Sequence, residues 1–159
     1  MDPGQVIAVW LHTLAFVIAW GYYGILGRMV LPALERSLAL PDVSTAVVAI
    51  ERRALPLIGM SLVLFTATGA YLLVVDPHYA GLGNVFASTW TTLMLAKHVL
   101  VVGLVVVGVY VDRLIRRVGD ATSEDGRRSD LRRLALSAEA ATGIGALIVL
   151  LTAAAQAAT

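Results

Sequence analysis

Apolar and polar positions are distributed along this chain in long blocks. Four runs, over about 6–27, 54–75, 90–111 and 134–155, are apolar on every helical face and hold at most one formally charged residue each. Each has the length of about 20 residues that a helix needs to cross a hydrocarbon core. A pattern with no polar face predicts helices surrounded by lipid or by one another rather than helices half covered by water. The expected fold class is all-α: a four-helix transmembrane bundle forming one domain over 1–159, with connections at 28–53 and 112–133. In the first connection, Pro41-Asp42-Val43-Ser44 is positioned to begin an extension of the second helix, with Asp42 or Ser44 as cap. The second connection is polar, rich in Arg, Asp, Gly and Ser, and reads as a mobile loop flanked by helix extensions.

Composition strengthens this picture. Of 159 residues, 58% are hydrophobic and 14% charged, and the mean hydropathy is +0.82; soluble domains carry about 25% charged residues. The placement of charge says more than the net value of +1, which gives no reason to expect a nucleic-acid partner. Every arginine lies in the two connections: Arg28, Arg36, Arg52 and Arg53 in one, and Arg113, Arg116, Arg117, Arg127, Arg128, Arg132 and Arg133 in the other. Positive residues mark cytoplasmic loops. Both connections are therefore expected inside, and both termini and the 76–89 loop outside. The arginines themselves read as topology determinants in contact with lipid headgroups. The first residues, Met-Asp-Pro-Gly-Gln, lack the basic start of a secretory signal, so the first apolar run reads as a retained helix. There is no cysteine, which excludes disulfides and thiolate metal sites within the chain.

Ionisable residues inside a membrane helix are costly and usually face the bundle interior with a role. Four qualify: His12, Lys97, His98 and, less deeply, Glu139. At 1.5 Å per residue, His12 lies ~10 Å below the start of the first run and His98 ~12 Å below the start of the third. Both runs enter from the same side, so the two histidines share a level in the outer half. Paired imidazoles on different helices suit the axial positions of haem b, and they also suit copper. Met94, one turn from His98, adds a thioether on the same face, but the lack of cysteine tilts the balance towards a porphyrin. Lys97, the chain's one lysine, points ~100° away from His98. It is a candidate partner for a propionate or another acid, or an alternative ligand. Glu139 is a candidate for proton handling or for an ion pair with Arg52 or Arg53. His78, in Asp76-Pro-His78-Tyr79, reads as a solvated turn residue. Ala8, Ala15 and Ala19 on the His12 face, and Gly21, Gly24 and Gly27 beyond, suit close helix packing.

Together, His12 with Trp20-Gly21, Glu51-Arg52-Arg53, Trp90 followed by Lys97, and Leu131-Arg-Arg leading to Ala138-Glu139 resemble the membrane domain of the copper-resistance D family. More distantly they are similar to the haem-carrying bacterial protoporphyrinogen oxidase family. The oxidase resemblance implies haem b and functional roles for His12 and Lys97, with Glu51, Arg52, Arg53 and Glu139 as further family positions. His98 directly after the lysine departs from it, as does Ala141 where that family carries proline. The ending Leu147-Ile-Val-Leu-Leu-Thr152 looks more like the copper branch. The resulting expectation is a haem b-binding protein of a prokaryotic inner membrane with a redox role. Its axial ligands are His12 and His98, with Lys97 or Met94 as substitutes for the latter. The alternatives are copper transport or resistance, and oxidation of a porphyrinogen coupled to quinone. A homodimer is expected from the small size of the bundle.

Overall fold

A computed structural model describes residues 2–76, 86 and 88–157. All regular structure in it is helical: α1 (Pro3–Ile25), a π-helical turn (Leu26–Val30), α2 (Leu31–Ser37), α3 (Leu40–Val75), α4 (Thr89–Asp120) and α5 (Glu124–Ala157). The α1–α2 unit, α3, α4 and α5 are each long and apolar enough to cross a membrane. The four-helix bundle is therefore as expected. The 76–89 turn with His78 lies outside the described residues apart from its ends.

The second helix extends back through Pro41 as expected, beginning at Leu40, but its N-cap is Ala39 with no side-chain cap bond, not Asp42 or Ser44; in their remaining length the two connections differ from their sequence reading. Instead of loops, 28–53 and 112–133 are almost wholly helical, interrupted only around Leu38–Ala39 and Ala121–Ser123. Buried positions within them explain why. Val43, Val47 and Glu51 repeat every fourth residue on α3; Val111, Leu114, Ile115 and Val118 form a stripe on α4; Leu131, Leu134, Ala138, Ala141 and Gly145 continue at alternating steps of three and four on α5. These are helix faces with one buried side. They meet Tyr23, Leu26 and Leu31 in the principal core of the protein, at the end of the bundle that carries the arginines. The 112–133 segment turns at Ser123, whose Oγ accepts from the Gly126 N–H at 3.2 Å, while Arg127 Nη2 donates to the Ala121 carbonyl at 2.6 Å.

The π turn has a local cause. Pro32 has no N–H to give the Arg28 carbonyl, and the ladder widens just upstream, with Leu31 N–H bonded to the Leu26 carbonyl five residues back. At α4, Ser88 and Thr91 form a reciprocal capping box.

Packing is uneven along the bundle. Between Thr91 and Val111, α4 has no buried residue. Burial is concentrated where helices extend towards water, because there the hydrophobic effect drives association, whereas lipid is as apolar as the side chains it touches. Over the remaining length α1, α3 and α4 line a groove.

Candidate functional site

The groove holds two cavities. The larger, of about 670 Å³, lies at the end away from the arginines and is lined by His12 and Thr13 from α1, Phe65 and Gly69 from α3, Met94, Lys97 and His98 from α4, and Thr152 and Gln156 from α5. The four candidate residues of the larger cavity thus come from helices that the sequence alone could not pair, and they share one space. The smaller cavity, about 290 Å³, runs towards the arginine end along Leu55, Ile58, Leu62, Leu104 and Val105, and reaches Glu51 and Asp112. Phe65 and Val101 line both and form the waist between them.

His12 is held in one orientation. Its Nδ1 lies 3.0 Å from the Phe65 carbonyl and 3.1 Å from Thr68 Oγ1. A carbonyl only accepts, so Nδ1 carries the proton and Nε2 keeps its lone pair. The imidazole also stacks on the Phe65 ring, with centroids 4.2 Å apart. Gly69 makes the approach possible: a methyl group there would lie 2.9 Å from His12 Cε1. His98 follows the same logic within α4, its Nδ1 donating to the Met94 carbonyl at 2.6 Å. Both histidines therefore present Nε2 as the free ligating atom, the arrangement that metal-binding imidazoles adopt when a neighbour fixes their tautomer.

Lys97 is half-buried and lines the same cavity. Among the described residues it has neither hydrogen bond nor ion pair. Among the described residues, no group of three or more His, Cys, Asp or Glu is arranged to hold a metal. A metal in this cavity would draw on two imidazoles and the Met94 thioether.

Glu139 stands elsewhere and lines neither cavity. Its partner is Arg28, not Arg52 or Arg53: Arg28 Nε and Nη2 donate to the two carboxylate oxygens at 2.9–3.1 Å. Two features bring these groups together. Gly27 packs against α5 so closely that a Cβ on it would sit 3.0 Å from that of Ala138, and Arg28 occupies the π turn beside it. Arg52 and Arg53 are exposed, one and two helical steps around α3 from the buried Glu51. Glu51, only 7% exposed, accepts a hydrogen bond from the Tyr22 hydroxyl. The family resemblance placed Glu51 among its further positions, but the burial of its carboxylate was not anticipated. Its position on the Val43–Val47 stripe was the available signal.

The small residues of α1 divide by neighbour. Ala8 and Ala15 are buried, Ala19 lines the smaller cavity, Gly24 and Gly27 lie against α5, and Gly21 faces open space. Close packing is most extreme at Gly145, where any side chain would overlap the Trp20 indole; that indole donates to the Thr142 carbonyl at 2.9 Å.

Among known proteins, the family model described as Copper resistance protein D matches residues 48–155. No curated protein and no solved structure matches. The match carries the copper side of the expectation. Nothing in it extends to haem, to a cytochrome role or to the protoporphyrinogen oxidases.

Proposed function

The chain belongs to the copper resistance protein D family, a multi-pass membrane protein by its four apolar helices, and from that premise we propose that it captures copper ions in the larger cavity. The observation that carries this reading is that two imidazoles with free Nε2 atoms and one thioether line a single cavity. Thioether and imidazole together suit Cu(I), and the softness of sulfur discriminates against the hard cations abundant in cells. Each residue has a distinct task. His12 and His98 supply nitrogen ligands. Met94 supplies sulfur from one turn away on the His98 face. Phe65, Thr68 and Gly69 hold the His12 ring at its working angle.

With the arginines on the cytoplasmic side, the cavity opens to the outer side, which is where a copper-resistance protein would meet the ion. The smaller cavity contributes no further His or Met to its lining. This favours capture at one site over a relay of steps through the bundle. Haem b is the second reading, supported by the same pair of free Nε2 atoms, since two imidazoles also satisfy a haem iron. Neither a quinone nor a second copy of the chain is required by the copper reading.

The test is titration of the detergent-purified protein with Cu(I) against a competing chelator, alongside its absorption spectrum. One copper per chain is expected, with affinity lowered about 10-fold or more in His12→Ala and in His98→Ala. No copper bound, or binding unchanged in both variants, would sink the proposal. A Soret band lost in the same two variants would establish the haem reading in its place.

A further inference from the structure

Two features of the larger cavity are left unexplained by a bare copper ion. The first is its donor set. His12, His98 and Met94 give three ligands, and Asp76, the one carboxylate on the described cavity wall, forms no metal-holding group with the two histidines among the described residues. The second is Lys97. It is the only lysine, it stands half-buried in an apolar helix, and it lines this cavity with no ion pair or hydrogen bond among the described residues. An unpaired cation in such surroundings is costly unless something neutralises it. A cationic cargo held beside it adds a second positive charge in the same low-dielectric space, and like charges at short range repel strongly there. Both deficiencies have the same remedy.

We propose that the cavity binds copper together with a coordinating monoanion, a halide or a carboxylate, which ligates the metal and accepts a hydrogen bond from the Lys97 ammonium. The geometry of α4 suits this division of labour. Met94 and His98 share one face, and Lys97 sits one helical step around from His98, so the ammonium reaches into the cavity from the side rather than competing for the metal. An ammonium is a compact donor of three hydrogen bonds with no lone pair when charged. It can hold an anion against a metal without becoming a ligand itself. Thr13, Thr152 and Gln156 supply further polar groups on the cavity wall, which suits a hydrated or polar anion better than the apolar second cavity does. The proposal rests on the copper reading above and specifies what accompanies the ion.

The experiment is Cu(I) titration of the full chain in three buffers of equal ionic strength, containing chloride, acetate, or a non-coordinating anion such as tetrafluoroborate. In the parent protein, affinity should rise about 10-fold or more when a coordinating anion replaces the inert one, the scale of effect that outer-shell partners have on metal sites. Chloride and acetate arms distinguish a halide from a carboxylate. In Lys97→Leu the anion effect should fall below about 3-fold, while affinity in the inert buffer stays equal to or above that of the parent, because a repelling charge has gone. Lys97→Arg keeps the charge and should keep most of the anion effect, which separates loss of charge from loss of fold. Copper binding with no dependence on the anion overturns the inference and leaves the copper site standing. The same dependence in Lys97→Leu as in the parent also overturns it, and shows that the lysine merely extends to water at the cavity mouth. Failure of all three proteins to bind copper overturns the proposed function itself.

Discussion

His12 owes its orientation to three neighbours that carry no metal chemistry of their own. Phe65 offers both its ring and its carbonyl, Thr68 a hydroxyl, and Gly69 the space in which the imidazole sits. Gly69→Ala is therefore expected to lower copper affinity about 10-fold without removing any ligand, and to leave the helical circular dichroism unchanged; the chelator titration measures the first effect. Wild-type affinity in that variant would mean that the ring is free to turn. His12, Lys97 and His98 were legible in the sequence because ionisable residues stand out in apolar runs. Their partners were not. Phe65 and Gly69 are ordinary membrane-helix residues until α1 lies across them, and which apolar residue meets a given histidine depends on packing between helices 53 to 57 residues apart along the chain.

At the scale of the elements, α1 and α5 are joined by contacts that tolerate little change. Trp20 lies over Gly145, and its indole N–H meets the Thr142 carbonyl; Arg28 pairs with Glu139 at the π turn. Gly145→Ala forces overlap with the indole and should destabilise the bundle by about 1–3 kcal/mol, the usual range for overpacking, as read by denaturant titration in micelles. Gly143→Ala, two residues away and facing open space, should have little effect. Replacing Glu139 with Arg should weaken the α1–α5 contact, and the reciprocal Arg28→Glu in the same chain should restore it; a double variant as unstable as the worse single one would dismiss the pair. The four apolar runs announced the long helices. Their polar extensions were harder to read, because Arg and Asp on the outer faces mask stripes such as Val111, Leu114, Ile115 and Val118, whose spacing is that of a helix with one buried side.

Seen whole, the molecule is a tightly packed base with an open top. The base, at the arginine end, is built where helices leave the apolar phase, and its residues include Leu114 and Leu134 at 0% exposure. The top is where residues of α1, α3, α4 and α5 line the larger cavity. Stability and binding are thereby assigned to different halves. Leu134→Ala should cost about 2–5 kcal/mol and leave the copper affinity of the folded fraction intact. Val102→Ala, at a position 63% exposed towards lipid, should change neither quantity measurably; a large loss there would reveal a partner surface on α4. The measurement that bears most directly on the central claim is X-ray absorption at the copper edge of the Cu(I)-loaded protein. In a buffer with a non-coordinating anion, two imidazole nitrogens and one sulfur in the first coordination shell are predicted, with the sulfur lost in Met94→Leu and one imidazole lost in His12→Ala. A shell of oxygen ligands alone, or a spectrum unchanged by both substitutions, would contradict the assignment of copper to this cavity.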